Sequence, residues 1–398
     1  MPSAIKTISR NPRAGGTKAR VLHICNWYPN VFGPGEVPFI RRHILALGPH
    51  FQNEVWHIEV RSTKGRNRFT RRSLDADRTY LAELRTTRWR LLEWMSFLAL
   101  VWAWATRDRS KSFHLINIHI AYPLAVQISF LERMFKVPIV ITEQWSAYHY
   151  SFNSQSKGLQ RIRRIFHHNI PLICVSKALK KDIERFSGKE QRKVAIVDNV
   201  AESKIFAWSP DHAPVEGRFF AIAGWRFPKR PDVLIEMMGL LRDSGKNAVL
   251  RLAGNGPKMQ EMKAQITDLG LEGRVILLGH LDPRQVADEM RTAHALLHCS
   301  DYETYSAVCA ESLCVGTPVI ASDVGGISEY MTQATGALVA NNDAQSWTEV
   351  VQCSWSSTLA ANRENISYYM TGRASTETVG KRYAEFLDEV LGQHIEHT

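Results

Sequence analysis

Residues 295–326 read ALLHCSDYETYSAVCAESLCVGTPVIASDVGG. The stretch opens on an apolar strand-like run, Ala295–His298, crosses a polar loop, and enters a helix-like run at Ala307–Cys314. A second apolar strand follows at Pro318–Ala321 and ends in the turn Gly325-Gly326. Strand, loop, helix and strand in that order make one unit of a parallel α/β sheet. The unit carries two carboxylates. Glu303 falls in the loop after the first strand and Glu311 in the first turns of the helix, with seven residues between them. The amides of Ser306, Ala307 and Val308 lie between the two, at the helix N-terminus. Unpaired N–H groups and the helix dipole favour a diphosphate there. In that setting Glu311 can accept hydrogen bonds from vicinal ribose hydroxyls, and Glu303 can meet a transferred sugar. The spacing by itself is weak, because two glutamates so placed are usually exposed surface residues.

The same alternation extends upstream. Phe219–Ala223 reads as a strand, followed by a loop with Arg226, Lys229 and Arg230 and a helix at Pro231–Arg242. Ala248–Leu252 is a strand that runs into Gly254-Asn-Gly256-Pro257. Helix Lys258–Leu269, strand Arg274–Leu278 and helix Pro283–Ala293 follow, and strand Gly336–Val339 lies downstream. Asp282 as N-cap with Pro283 at the first helical position marks one helix start. Regular alternation of this kind is a doubly wound domain. The first half opens in the same way: apolar Arg20–Cys25, a turn-rich loop Asn26–Gly35 and a helix-like segment Val37–Leu47. Strand-like runs recur at Glu54–Val60, Leu115–Ile120, Val137–Thr142 and Leu172–Val175. The polar stretch Ser209–Gly217 reads as a linker. The expected fold is therefore α/β, with two Rossmann-like doubly wound domains facing across a cleft at the carboxyl ends of their sheets. The expected bounds are a flexible polar leader at 1–19, a first domain at 20–208, a linker at 209–217 and a second domain at 218–375.

From Arg20 to about Tyr383 the chain resembles glycosyltransferase family 4, the retaining GT-B enzymes. The family pattern E-x-x-G-x-x-x-x-E-A…G-x-P-V-I-x-x-x-x-G-G is matched by Glu303, Glu311, Gly316, Pro318, Val319, Ile320, Gly325 and Gly326, with Ser306 where glycine is usual and Ser312 where alanine is usual. The resemblance implies that Glu303 contacts the donor sugar and Glu311 the ribose. Gly224–Asp232 is similar to the family loop whose Arg and Lys neutralise donor phosphates. Lys229 and Arg226 take those roles, although Trp225 follows the glycine and the loop is shorter. Gly254 and Gly256 resemble the G-x-G-P turn near the nucleotide base. Val175-Ser-Lys177 and Asp198-Asn-Val200 resemble segments that are mainly structural. In the first half, Ile116–Pro123 is similar to an H-x-H-x-x-Y-P segment. His119 matches the second histidine, which lies beside the transferred sugar in relatives, and Asn117 replaces the first. Thr142–Ser146 resembles a T-x-H segment with Gln144 at the histidine position. The resemblance makes 20–208 the acceptor domain and 218–375 the nucleotide-sugar domain, and assigns Glu143, with Gly33, Gly35 and Arg41 from the loop after the first strand, to the acceptor side. The final segment, 376–398, is expected to hold a helix that crosses back to the first domain, as in relatives.

Composition limits the rest. The 398 residues are 44% hydrophobic and 22% charged, an ordinary globular balance. Six cysteines without a C-x-x-C pair read as buried reduced thiols rather than a disulfide framework or zinc site. A D-x-D triplet occurs at Asp75-Ala-Asp77, away from the other motifs, and no metal or cofactor is expected. Leaving-group charge then falls to Lys229, Arg226 and the helix amides. Fifty Lys and Arg against 39 Asp and Glu give a net charge of +11. Residues 61–73, RSTKGRNRFTRRS, hold six bases and no acid, which reads either as a solvated loop or as a contact for anionic lipid or an anionic acceptor. Arg88–Arg107 carries Trp89, Trp94, Trp102 and Trp104 in an apolar run too short to span a bilayer, so it either packs in the domain or lies in a membrane interface.

The expected function is a retaining hexosyltransferase acting on a UDP- or GDP-sugar and a lipid-linked or saccharide acceptor, in cell-surface polysaccharide or glycolipid synthesis. The expected setting is cytoplasmic, at the inner face of the plasma membrane. A nucleotide-sugar epimerase or hydrolase on the same fold is one rival, and a non-enzymatic basic binding protein is another. A nucleic-acid partner is not expected, because the charges do not interleave with aromatics as in a nucleic-acid module.

Overall fold

The computed structural model describes residues 18–28, 38–74, 77–85, 89–152, 159–355 and 362–396. The chain divides into two compact units. One comprises residues 1–175, 180–197 and 379–398, the other 176–179 and 198–378.

In the first unit the elements run β1 (Arg20–Cys25), α1 (Pro38–Ala46), β2 (Gln52–Ser62), β3 (Arg68–Leu74), β4 (Asp77–Leu84), α2 (Trp89–Ala105), β5 (Leu115–His119), α3 (Ile128–Phe135), β6 (Ile139–Glu143), α4 (Ala147–Tyr150), α5 (Gln160–Ile165), β7 (Leu172–Cys174), α6 (Lys177–Ser187) and β8 (Val194–Ile196). Among the described residues they form one eight-stranded sheet in the order β3-β4-β2-β1-β5-β6-β7-β8. Pairing is parallel except at the β3 edge, which is antiparallel to β4. The central strands β1, β5 and β6 are buried along almost their whole length, as a sheet covered on both faces requires.

The second unit continues with β9 (Arg218–Ile222), α7 (Pro231–Asp243), β10 (Val249–Ala253), α8 (Met259–Asp268), β11 (Val275–Gly279), α9 (Pro283–Thr292), β12 (Ala295–His298), α10 (Ala307–Cys314), β13 (Val319–Ser322), β14 (Gly336–Val339), α11 (Ala344–Trp355) and α12 (Arg363–Ala374), and the chain ends in α13 (Thr376–Glu396). Its sheet is parallel, in the order β11-β10-β9-β12-β13-β14. Asp282 caps α9 with a reciprocal box: its carboxylate accepts from the amides of Arg284 and Gln285, and the Gln285 side chain accepts from the Asp282 amide. Such a cap contributes about 1 kcal/mol.

Both sheets reverse their winding direction once, between β1 and β5 in the first unit and between β9 and β12 in the second. The loops leaving those strands splay apart at such a switch point and leave a crevice for a ligand. In the second unit they are the loops that carry Lys229 and Glu303.

Three features differ from the sequence reading. Residues 68–74, for which a solvated loop was one of the two readings, form the edge strand β3, in which Arg68, Phe69, Arg71 and Arg72 are exposed. The unit boundary falls at Asp198 rather than in 209–217. Arg373 holds Asp198 at 3.0 Å, and Arg291 binds the carbonyls of Ile205 and Ala207, so this stretch is packed rather than free. Cys353 is exposed, whereas the other five free cysteines are buried as expected. From Val379 onward α13 belongs to the first unit.

Helix α2 packs on β2 and β4, with the Trp102 ring edge-on to Tyr80. Its buried face, with Ala99, Leu100 and Ala103, also carries polar residues. Glu93 and Ser96 are buried, and Arg161 reaches Glu93 at 2.7 Å, while Leu91, Trp94 and Leu98 face outward. Among the described residues no helix is long and apolar enough to cross a membrane.

Candidate active site

Strand β12 delivers a short polar segment, Cys299–Glu303, onto the loop that follows β9. Backbone bonds splice the two: Arg230 N donates to Cys299 O at 3.1 Å and Asp301 N to Pro228 O at 2.9 Å. Lys229 is thereby brought to Glu303 although 74 residues separate them, and its Nζ is ion-paired with Glu303 Oε1. Burial lowers the Lys229 ammonium to about 8. The His298 side chain is buried at the end of β12, and its Nε2 lies 2.9 Å from the same Glu303 oxygen and 3.2 Å from Ser306 Oγ. Burial, and then the Lys229 charge, hold His298 well below its ordinary range. Arg230 is committed elsewhere, to Asp232 at 2.8 Å and Asp301 at 3.3 Å. Arg226 is exposed and folds back over Gly224.

Ser306 caps α10 with φ +66, a left-handed conformation that glycine adopts without penalty. The following residues, Ala307 and Val308, open the helix half-buried, with the N–H groups of its first turn directed out of its N-terminus. Glu311 sits one turn further in and is 7% exposed. The glycine turns make room for these loops. A Cβ on Gly325 would lie 1.8 Å from Glu303 O, and one on Gly326 2.2 Å from Thr304 O. One on Gly254 would lie 2.0 Å from Ala223 O, and one on Gly256 2.4 Å from Trp225 O. The G-x-G turn thus serves backbone packing against the Lys229 loop.

A cation, a carboxylate and a helix N-terminus meet at the switch point of a parallel sheet. Residues 208–370, which contain all three, match the family model described as glycosyl transferases group 1. The second unit is a group 1 glycosyltransferase domain. Among curated proteins, D-inositol 3-phosphate glycosyltransferase of Xylanimonas cellulosilytica is 30% identical over 141 residues, 35% of this chain and 34% of that protein. The chain thus spans about a third of the length of the first curated relatives it matches. Sucrose-phosphate synthase from Thermosynechococcus elongatus aligns with a TM-score of 0.74 at 18% identity, covering 94% of this chain and all of that one. The Anabaena Alr3699/HepE structure in complex with UDP and glucose aligns at 0.72 and 16% identity, covering 93% of this chain and all of that one. The fold is GT-B, two Rossmann-like units in one chain.

Within the group 1 domain the sequence-derived residues Lys229, Glu303, Ser306, Ala307, Val308 and Glu311 gather around the β9 and β12 exits. His298 was missed. Its signal was a histidine closing an apolar strand, five residues before a glutamate.

The first unit places its candidates differently. His119 ends β5 but is 0% exposed; its Nε2 lies 3.0 Å from His23 Nδ1, and His23 Nε2 lies 3.1 Å from Asn53 Oδ1. Since Asn53 spends its amide N–H on Ile44 O, each histidine donates from Nε2, which leaves His119 Nδ1 a buried acceptor without a hydrogen-bond partner. Asn117, Thr142 and Tyr383 of α13 close a ring of hydrogen bonds beside it. Glu143 departs from its acceptor-side expectation. It is fully buried and accepts from the amides of Ala121, Gln144 and Trp145 and from the Tyr148 hydroxyl. Burial pushes it up to about 7. Those bonds clamp the turn after His119, where Ile120 is held at φ +65. Gly33 and Gly35 lie outside the described residues, and Arg41 is exposed on α1. Asp77 of the D-x-D triplet accepts from Tyr28, and Asp75 lies outside the described residues.

Proposed function

We propose that the protein is a retaining hexosyltransferase that uses a nucleoside-diphosphate sugar. The observation that carries this reading is the convergence of Lys229, Glu303 and the α10 N-terminus at the β9/β12 switch point. The diphosphate would lie against the α10 amides, with Lys229 and Arg226 supplying positive charge as the leaving group departs. Glu311 would take the ribose, and Glu303 would face the sugar as oxocarbenium character develops. The acceptor hydroxyl would attack on the leaving-group face, its proton passing to the departing diphosphate. The acceptor is a saccharide or lipid-linked saccharide of the cell surface, reached at an anionic membrane. The exposed stripe of α2 and the basic strand β3 supply apolar and cationic contacts for that surface.

The test is turnover of UDP- and GDP-hexoses with and without a saccharide or polyprenyl-diphosphate acceptor, in excess EDTA. Expected is acceptor-dependent release of nucleoside diphosphate, with the anomeric configuration kept and no need for added cation. Equal release without acceptor would favour an epimerase or hydrolase, and no binding of any nucleoside diphosphate would overturn the reading.

A further inference from the structure

His298 shares the Glu303 Oε1 atom with Lys229, yet the two hold it in different ways. Lys229 stands in a loop and brings a full charge. His298 stands at the end of a buried strand, and its ring brings a hydrogen bond. A carboxylate oxygen only accepts, so Nε2 carries the proton. Ser306 donates its own hydroxyl to Cys309 Sγ at 3.2 Å, which leaves Ser306 Oγ to accept from the same Nε2–H. The N–H is thus aimed between the glutamate and the helix cap.

We infer that His298 is a positioning residue for Glu303, a neutral hydrogen-bond donor that keeps the carboxylate in place once Lys229 turns to a diphosphate. The inference rests on the proposed function. In the unliganded protein Lys229 neutralises Glu303. A diphosphate carries more negative charge than one carboxylate and draws the ammonium away. Glu303 then loses its cationic partner and is free to change rotamer, unless another donor holds it. His298 is fixed in the sheet and remains. Because it is neutral, it orients the carboxylate without cancelling the charge that stabilises an oxocarbenium-like centre. Burial keeps the imidazole in that state.

Three substitutions test this. His298→Leu removes the donor. His298→Gln keeps an N–H near the reach of Nε2, and His298→Asn holds its amide about one bond short. A misplaced catalytic group costs on the order of 10- to 100-fold. His298→Leu and His298→Asn are therefore expected to lose at least ~10-fold in kcat with donor KM within about threefold, while His298→Gln stays within about fivefold of the parent. Since Gln and Asn are both polar, the comparison stands even where Leu prevents folding. Parental kcat in the Asn variant, equal losses in Asn and Gln, or a loss confined to KM overturns the inference. The parent is assayed first: a parent without turnover fails the proposed function, whereas an active parent with unordered variants fails only this inference.

Discussion

Lys229 is the residue on which the electrostatics of the group 1 domain turn. Burial lowers its ammonium to about 8, so the charge is present below that pH and fades above it. If the ammonium meets the leaving diphosphate, kcat/KM of the free enzyme falls as pH rises through about 8, approaching tenfold per pH unit. Lys229→Arg should move this limb beyond the accessible range, and Lys229→Ala should lower kcat/KM by about 10²-fold, comparable to losing one preorganised oxyanion donor. A limb that persists near pH 8 in the arginine variant would assign it to another group. The glutamate pair and Lys229 were legible in the sequence because each falls in a short local pattern, Glu303 and Lys229 in loops that follow strands and Glu311 in the helix after one of them. His298 and the fate of Glu143 were not, since burial and partners depend on elements distant in the chain. Ser306 shows the intermediate case: its place opposite a usual glycine was readable, and its φ of +66 supplies the backbone reason.

At the scale of elements, the strand–loop–helix order of the second unit was read closely from β9 to β14, because parallel strands there are short apolar runs bounded by turns, whereas α11 and α12 were not read. The β3–β4 edge was missed. The residues of β3 are mostly charged or polar and exposed, and an edge strand of that kind carries little hydrophobic signal. Helix α2 was recognised, but not which way its polar residues face. In β3, Phe69 stands opposite Ala82 and Arg71 opposite Tyr80, and Tyr80 packs on Trp102 of α2. Opposed side chains share a face of a sheet, so Phe69 and Arg71 lie on the α2 side. Trp94, at 49% exposure, and Leu98, at 50%, lie about one turn apart on the exposed face of α2. Replacing both with serine should weaken sedimentation with anionic vesicles by at least ~10-fold, at roughly 1 kcal/mol for each half-buried side chain. Binding of the parent should fall with added salt and be weaker to neutral vesicles, since each base near the surface contributes about 1 kcal/mol. Equal sedimentation of parent and variant would remove α2 from the contact.

At the scale of the molecule, both units bury histidines where the sheets change direction. His23 and His119 lie at the β1/β5 switch and His298 at the end of β12, and burial lowers all three. His23 falls to about 4 from 6.5. The unfolded chain binds a proton at each of these sites near pH 6.5, whereas the folded protein does not, so stability rises with pH across this window and is lost on acidification. The loss begins near pH 6.5 and, for His23, is complete below about 4. Within the window each such histidine contributes about 1.4 kcal/mol per pH unit. His119 and His298 act in the same direction, and Glu143, raised to about 7, acts in the opposite one. Scanning calorimetry between pH 7 and 4.5 should show a falling Tm, with Glu143 offsetting part of the histidine slope. His23→Asn should carry a shallower slope by about 1.4 kcal/mol per unit, whatever it does to stability at pH 7. An identical slope in the variant would mean that His23 is already protonated in the fold. In that case its Nδ1 is a donor too, and the His119–His23–Asn53 relay runs in the opposite sense at His119.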